Sequence, residues 1–385
     1  MKKKILIPTV AEDVHALAVA HALRQKGADP ILWYTPDFPT RAMESVHFRE
    51  SGPRIEIQDC ASRILETDVD CIWNRRPREE LTPAPLDPAD KSFARVQCSR
   101  FRTALLNILS HRAEANGLLC VNPWESAIRT ENKLWQHYVA AQVGLVMPES
   151  LYSNDPAAVR GLIERQGTIA YKPFISGIWE DGKASWGCFT NAIDAESLVE
   201  DELLQAVPGI YQELIPKAYE LRVTMIGDHA FTARLNSQQT QRGHEDWRRA
   251  YEDLRIEPWE IPNDLHRQCI ELMRRLDIVF GCLDFIVTPD GRYVFLEVNQ
   301  AGQFLFIEEA CGLPLLDAFS ELLLQGRPDF AWEESATSVR FVDVEEPVRA
   351  ALIEEAERHV PSSVPVIDET RSRQGPGAVQ SESAR

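Results

Sequence analysis

Two carboxylates that could hold a metal ion face each other across a predicted hairpin at residues 281–299. This stretch is rich in β-branched and aromatic residues and is interrupted by Asp290-Gly291, a dipeptide typical of two-residue hairpin loops. The numbers of residues that pair across such a loop have a constant sum, so Asp284 is expected to lie directly opposite Glu297. The sequence therefore predicts two acidic side chains on one face of a sheet.

The surroundings of these acids predict a cation site. Asn299 lies two residues beyond Glu297 and points to the same face, whereas Leu296 and Val298 are expected to point into the core. Like charges directly opposite each other destabilise a sheet by up to about 1 kcal/mol, which a bound cation would offset. Mg²⁺ suits this set, because it prefers oxygen ligands and leaves positions for water and substrate phosphates. The alternative is an exposed sheet face on which the acids are solvated.

Composition excludes several classes of function. The chain has 385 residues, of which 44% are hydrophobic and 26% charged, so two or three globular domains are expected. A formal net charge of −18 argues against nucleic acid as a partner, because binding to phosphate backbones requires a basic surface. The sequence shows no signal peptide and no apolar run of the roughly 20 residues that span a membrane. The eight cysteines include no CxxC pair, so we expect a cytoplasmic protein with reduced thiols.

The first third of the chain predicts a parallel α/β sheet. Residues 4–34 follow a strand, helix, strand pattern, and this β-α-β order is typical of parallel sheets. A third strand at 70–73 is followed by Arg75-Arg76, a pair that either grips an anion or lies solvated in a loop. A long helix is predicted over 92–116.

Two lysines lie where an anion would favour them. Lys133 falls in the first turn of a helix predicted at 130–143 and capped by Thr130, where its charge opposes the helix dipole. It is therefore either solvated or placed beside an anion. Lys172 ends a strand predicted at 168–173, and the glycine-containing stretch that follows could form a flap over phosphates.

The remaining elements surround the 281–299 hairpin. A strand is predicted at 211–215, and Gly227-Asp228 turns a second hairpin whose strands carry Arg222 and Arg234 near its outer ends. Beyond residue 330 a helix is predicted at 345–359. The segment 361–385 has almost no apolar content and is expected to be disordered.

Taken in order, these features resemble the ATP-grasp carboxylate–amine ligases over about residues 120–326. The resemblance consists of Lys172, the small-residue flap, Gln212-Glu213-Leu214-Ile215, Glu220-Leu221-Arg222-Val223, Asp284 and Glu297-x-Asn299. The β-α-β opening looks like the domain that precedes the grasp in that superfamily. Within the superfamily, the graspetide (microviridin-type) maturases of ribosomally made peptides are similar at Ile72 to Pro77, at Asp246-Trp247-Arg248 and at Leu296 to Glu308.

This resemblance implies a domain organisation. It predicts an α/β protein in which an N-terminal parallel-sheet pre-ATP-grasp domain over 1–120 precedes the two-part (α+β) ATP-grasp fold. The first part of that fold would cover 121–210 and the second 211–330. A tail, first helical and then disordered, would occupy 331–385.

The resemblance also implies ATP and Mg²⁺ as cofactors and assigns a role to each site residue. Lys133 and Lys172 would contact the phosphates, and Arg222 with Arg234 would clamp the transferred phosphoryl group. The remaining roles are adenine recognition by Gln212, Glu213, Leu214 and Ile215, ribose contact by Glu220, and Mg²⁺ binding by Asp284, Glu297 and Asn299.

The implied reaction joins a carboxylate to a nucleophile at the expense of ATP. The expected partner is a precursor peptide with leader and core, whose Asp or Glu side chain would be joined to a Ser or Thr hydroxyl or a Lys amine. The resemblance further implies a homodimer. Two alternatives share the fold: a ligase of amino acids or small metabolites, and a catalytically dead scaffold, although the latter would not need the charged residues above.

Overall fold

The computed structural model describes residues 2–50, 52–59, 63–65, 69–77, 86–174, 178–180, 185–187, 190–239, 254–361 and 379–381. Its mixture of helices with parallel and antiparallel sheets confirms the predicted α/β class. The glycines of the predicted flap at Gly177 and Gly182, and the Asp246-Trp247-Arg248 motif, lie outside the described residues. Among the helices within these ranges, none has the length and apolarity required to cross a membrane.

The helices and strands are defined here in chain order. The helices are α1 (Val14–Gln25), α2 (Pro88–Ala115), α3 (Trp124–Thr130), α4 (Lys133–Gln142), α5 (Pro156–Gln166), α6 (Asp201–Ala206), α7 (Asn263–Leu276), α8 (Leu305–Cys311), α9 (Leu315–Gln325) and α10 (Phe341–Arg358). The strands are β1 (Lys4–Thr9), β2 (Asp29–Tyr34), β3 (Met43–Arg49), β4 (Gly52–Gln58), β5 (Arg63–Leu65), β6 (Cys71–Trp73), β7 (Leu119–Val121), β8 (Ser150–Ser153), β9 (Ile169–Lys172), β10 (Ile178–Glu180), β11 (Ser185–Gly187), β12 (Asn191–Ile193), β13 (Gly209–Glu213), β14 (Tyr219–Ile226), β15 (His229–Leu235), β16 (Ile256–Trp259), β17 (Phe280–Val287), β18 (Tyr293–Asn299) and β19 (Val379–Ser381).

The N-terminal part of the chain forms the predicted parallel sheet. Its strand order is β2-β1-β6-β7, and all three pairings are parallel. Helix α1 begins where the Asp13 side chain accepts hydrogen bonds from the backbone N–H groups of His15 and Ala16. The long α2 packs with the antiparallel sheet β3-β4-β5 in one apolar core. The predicted β-α-β opening is therefore confirmed.

The helix predicted over 130–143 begins three residues later than expected. Thr130 ends α3, and α4 begins only at Lys133. The cap of α4 is Asn132, whose side-chain oxygen accepts from the backbone N–H of Trp135 at 3.2 Å. The prediction that Thr130 caps this helix was therefore wrong, while Lys133 does lie in the first turn.

Two further sheets carry the predicted site residues. The small sheet has the order β12-β9-β13-β8, all antiparallel, and the large sheet has the order β16-β15-β14-β17-β18. Helix α7 covers one face of the large sheet, where Leu272 and Leu276 pack against Leu283 and Phe285. The other face turns toward the N-terminal sheet and α9. The large sheet thus lies between two apolar cores.

The hairpin of β17 and β18 reaches the predicted register by a different route. Its loop spans residues 288–292 rather than two residues, so Val287 pairs with Tyr293. A bulge between Asp284 and Phe285 then shifts the pairing by one residue, and Asp284 lies opposite Glu297. The predicted pairing is confirmed, although the predicted two-residue loop was wrong.

The C-terminal helices close the fold against its beginning. The Glu308 carboxylate accepts hydrogen bonds from the backbone N–H of Leu316 and of Phe341, both at 2.7 Å, and so ties α8 to α9 and α10. Beyond α10, the buried Asp37 carboxylate accepts from the backbone N–H of Val360 and contacts His359. Strand β19 of the tail pairs with β11.

Candidate active site

Each predicted metal-binding carboxylate contacts a cationic side chain of another element. Asp284 accepts from Nη1 of Arg222 on the neighbouring β14 at 2.8 Å. Glu297 lies 3.0 Å from Nζ of Lys133, the first residue of α4. The structure therefore brings four of the predicted site residues together on one face of the large sheet.

Asn299 lies at the end of the same face, opposite Cys282. Its side-chain oxygen accepts from the backbone N–H of Ala301 at 3.1 Å and so shapes the turn after β18. The side chain is exposed, which leaves its amide near solvent at the rim of the carboxylate pair.

The chemistry of these side chains fits a hard cation. Two carboxylates and one amide oxygen are the donors that Mg²⁺ prefers, and a site with few protein ligands leaves positions for phosphate oxygens. Within the described ranges no cluster of three or more His, Cys, Asp or Glu could hold a metal. A two-carboxylate set that relies on substrate oxygens is compatible with that finding.

The two arginines predicted to form a clamp lie on opposite faces of the large sheet. Arg222 pairs with Ala233 across the β14–β15 hairpin, so the next residue, Arg234, points to the other face. There its guanidinium lies 4.1 Å from the ring centre of Tyr219 and 3.6 Å from Glu257. The prediction that Arg234 joins Arg222 in one clamp was therefore wrong, because it counted residues from the hairpin ends without following the alternation of side chains.

The charged side chain of Arg222 is buried and fixed by hydrogen bonds. It is 5% exposed, and besides Asp284 it donates to the backbone carbonyl of Gln303 at 3.3 Å. Burial would lower its pKa, but the adjacent Asp284 carboxylate outweighs that effect and raises the pKa further above its ordinary value. The guanidinium therefore stays charged at any working pH.

The residues predicted to bind nucleotide lie mainly on the small sheet and the segment that leaves it. Lys172 ends β9, as predicted, and Gln212 and Glu213 end β13. Leu214 and Ile215 follow β13 instead of belonging to it, which corrects the predicted strand at 211–215. Their backbone groups are consequently not used in the sheet at those positions.

Glu220 is largely buried at the start of β14. Its carboxylate contacts Nζ of Lys217 at 2.7 Å and accepts from Ser237 Oγ at 3.1 Å. Gln212 is also buried, and its amide donates to Ser150 Oγ at 2.8 Å. Both side chains therefore have structural contacts in addition to their predicted roles.

A small apolar cluster lies beside the carboxylates. Ile215, Ile286 and Val294 are buried together, and Leu296 packs against them. Leu296 shares the face of Val294 and Ile286, and the bulge places the next residue, Glu297, on that face as well, so the prediction that Leu296 points into the same core as Val298 was wrong. The cluster gives the site an apolar wall next to its charged part.

Sequence reasoning missed Asn122, which connects the N-terminal sheet to the large sheet. Its side-chain nitrogen donates to the carbonyls of Phe280 and Gln300, and its oxygen accepts from the N–H groups of Val279 and Phe280, at 2.8–3.0 Å. The side chain is 1% exposed. A lone Asn before a proline gives no signal of such a role in the sequence.

Arg75 also supports the site from behind. It is buried, forms an ion pair with Asp13 at 3.0 Å, and donates to the carbonyl of Ala301 at 2.6 Å. Beside it, Nε2 of His15 accepts from the N–H groups of Phe304 and Leu305. Burial, reinforced by the charge of Arg75, holds the pKa of His15 well below its usual range, so the ring is neutral. Of the two alternatives for the Arg75-Arg76 pair, Arg75 fits the first, because it grips an anion, the Asp13 carboxylate, and is not solvated.

The chain is similar in sequence to a group of curated ligases. No family model matches the chain. It is 25% identical over 254 residues to a probable alpha-L-glutamate ligase of Xanthomonas oryzae pv. oryzae, a match that covers 63% of this chain and 80% of the relative.

Solved structures match over a larger share of the chain. The macrocyclase MdnC of Microcystis aeruginosa, bound with its precursor peptide MdnA, is 29% identical with a TM-score of 0.73, covering 84% of this chain and 99% of that one. A RiPP-associated ATP-grasp ligase of Chryseobacterium gregarium, in complex with ADP and a leader and core peptide, has a TM-score of 0.76 at 22% identity, covering 86% and 100%. With the order of elements described above, these likenesses show that the chain has the fold of the ATP-grasp ligases.

Proposed function

We propose that this ligase uses ATP and Mg²⁺ to join a side-chain carboxylate of a ribosomal precursor peptide to a Ser or Thr hydroxyl or a Lys amine of the same peptide. The observation that carries the proposal is the contact of Asp284 with Arg222 and of Glu297 with Lys133 on one sheet face. The likeness to MdnC, a macrocyclase bound with a precursor peptide, supports the choice of substrate.

The proposed chemistry has two steps. A carboxylate oxygen of the peptide attacks the γ-phosphorus of ATP, the bond to ADP breaks, and an acyl phosphate forms. The hydroxyl or amine then attacks the acyl carbon, phosphate leaves, and the nucleophile loses a proton. The result is an ester or an amide, with one water lost from the peptide per bond.

The residues of this chain act by binding and electrostatics. Asp284, Glu297 and Asn299 would hold Mg²⁺, which when bound neutralises charge on the phosphates. Lys133 and Lys172 would contact those phosphates from α4 and from β9. Arg222 would stabilise the transferred phosphoryl group, since guanidinium suits phosphate oxygens.

The nucleoside would lie between the small sheet and the apolar cluster. The backbone of residues 212–215 would recognise adenine, because Leu214 and Ile215 have left the strand and can offer their groups to a ligand. Ile215 and Leu296 would line that pocket. Glu220 would contact the ribose while retaining its bond to Ser237. Arg234 has no place in this scheme.

The expected setting of the enzyme follows from the same proposal. The domain limits at residues 120, 210 and 330 are those of the proposed grasp and its preceding domain. We expect a cytoplasmic homodimer that binds a peptide, and the net charge of −18 argues against nucleic acid as its partner.

A second candidate function is a ligase of amino acids or small metabolites. The similarity to a probable alpha-L-glutamate ligase favours it. Both candidates share the ATP chemistry and differ in the acceptor, so the site residues do not separate them.

The decisive experiment incubates the purified protein with Mg-ATP and a candidate precursor peptide, and then measures ADP release and the intact mass of the peptide. Loss of one water per ADP would support the peptide ligase. ADP release that depends on free amino acids and leaves the peptide mass unchanged would favour the second candidate.

Variants of the carboxylates test the site itself. Glu297→Ala and Asp284→Asn are expected to abolish ADP release while circular dichroism shows a retained fold. Asp290→Asn is the matched control, because Asp290 is an exposed carboxylate in the loop of the same hairpin. Full activity in both Glu297→Ala and Asp284→Asn would overturn the metal assignment.

A further inference from the structure

Two side chains link the small sheet to the edge of the large sheet beside Glu297. The hydroxyl oxygen of Tyr152 on β8 lies 2.9 Å from Nδ1 of His137 on α4. The other ring nitrogen of His137, Nε2, lies 2.9 Å from the carbonyl oxygen of Leu296 on β18. A carbonyl only accepts, so Nε2 carries the proton and Nδ1 accepts from the Tyr152 hydroxyl.

The surroundings keep both side chains neutral. Burial lowers the pKa of His137, and the nearby charges of Lys172 and Lys133 act in the same direction. Burial raises the pKa of Tyr152 to about 12, and the charge of Glu297 adds to that rise. The pair therefore lies within electrostatic range of groups from both sheets and keeps its hydrogen bonds at neutral pH.

Helix α4 also binds β18 on the other side of Glu297. The Gln136 side-chain amide donates to the carbonyl of Val298 and accepts from its N–H, each at 2.9 Å. Strand β18 is the edge of the large sheet, so these backbone groups have no neighbouring strand to pair with. Gln136 and His137 thus hold the backbone at the residues directly after and before Glu297.

We infer that His137 and Tyr152 are positioning residues that set Glu297 at a fixed distance from Lys172. Tyr152 and Lys172 belong to the small sheet, on the strands either side of β13, whereas Glu297 belongs to the large sheet. Lys172 would hold the nucleotide and Glu297 would hold the metal, so the placement of one sheet relative to the other would matter for binding both together. The inference rests on the proposed function only in giving those two residues their ligands.

The physical consequence concerns the metal more than the nucleotide. If the link is broken, nucleotide can still bind through its other contacts, but the carboxylate that coordinates the metal is less well placed. We therefore expect the largest effect on the factor by which Mg²⁺ increases the affinity for ADP. A residue that contributes only to stability would lower the melting temperature without changing this strengthening.

The experiment measures the dissociation constant of ADP by calorimetry, once with Mg²⁺ and once with EDTA. The ratio of the two constants is the strengthening due to the metal. In Tyr152→Phe this ratio should fall about fivefold, which corresponds to the loss of one buried hydrogen bond. Tyr138→Phe is the matched control, because Tyr138 lies next to His137 on α4 but is 59% exposed and stacks on Trp135.

His137 variants separate the two bonds of the link. His137→Gln can still donate to the carbonyl of Leu296 but loses the hydrogen bond from Tyr152, so its ratio should equal that of Tyr152→Phe. The double variant should have the same ratio as either single variant. His137→Leu loses both bonds and should lower the ratio further. An unchanged ratio in Tyr152→Phe, or additive effects in the double variant, would overturn the inference. The calorimetry contains no peptide, so its outcome does not depend on whether the acceptor is a precursor peptide or a small molecule.

Discussion

Asn122 provides a sharp test of how the N-terminal sheet supports the active site. Replacing it by Ala removes a side chain that makes four short hydrogen bonds and is 1% exposed. Two N–H groups and two carbonyls would lose their partner. At about 1 kcal/mol for each bond, and with some water entering the space, the free energy of unfolding should fall by about 3 to 4 kcal/mol.

The assay is urea unfolding followed by tryptophan fluorescence, with ADP binding measured in parallel. Phe280, which bonds to Asn122, lies on the same strand as Asp284, and Gln300 directly follows Asn299, so ADP affinity in Mg²⁺ should weaken as well. Asn154→Ala is the matched control, since Asn154 makes one exposed bond, to the carbonyl of Gln205. A loss below about 1 kcal/mol in Asn122→Ala, with unchanged ADP affinity, would refute this account of the support.

Two further predictions concern charged side chains. Arg222→Lys should reduce the rate of ADP release at least about tenfold, because an ammonium cannot contact both Asp284 and phosphate as a guanidinium can. Arg234→Lys should lower the stability of the protein but leave the rate of ADP release within about twofold. Steady-state kinetics measures both rates, and equal losses in the two variants would contradict the assignment of the two arginines to opposite faces. Burial raises the pKa of Glu44 to about 7 from an ordinary 4.5, despite its ion pair with Arg102 at 2.7 Å. The unfolded chain then releases this proton at lower pH than the folded one, so the stability of the wild type relative to Glu44→Gln should fall by up to about 3 kcal/mol between pH 4.5 and 7, as measured by urea unfolding at several pH values. A constant difference across that range would show that burial does not raise the pKa of Glu44 in the folded protein.

The sequence predicts best where one residue type has one physical use. The β-α-β opening follows from buried apolar runs, and the β14–β15 turn follows from Gly227, whose φ of +56° favours glycine. The acids at Asp284 and Glu297 stand out because two carboxylates that face each other across paired strands are rarely kept without a counter-ion. In the structure, Arg222 and Lys133 are the cationic partners of these acids. Of the two, only Lys133 has an unfavourable position in the sequence, at the start of a helix.

The predictions fail where side-chain direction depends on backbone detail. Arg222 and Arg234 lie on one hairpin, which suggests a shared clamp, but Arg222 pairs with Ala233, so Arg234 points to the opposite face. Leu296 was placed in the core by simple alternation, which a bulge interrupts. The bonds of Asn122 and Gln136 have no signature in a single sequence, because any Asn or Gln side chain close to unpaired backbone groups could make them. The bulge has none either.

The bulge explains why the correct pairing came from an incorrect loop. A loop of 288–292 alone would place Asp284 opposite Leu296 and turn Glu297 to the opposite face, where α7 packs. The extra residue restores Glu297 to the face of Asp284 and so places it next to Leu296, which lies on that face beside Ile215. One irregularity thus creates two adjoining surfaces, one charged and one apolar. A nucleotide has the same two parts, and this is why α4 must hold the strand at Leu296 and Val298, on both sides of the residue that the bulge has turned.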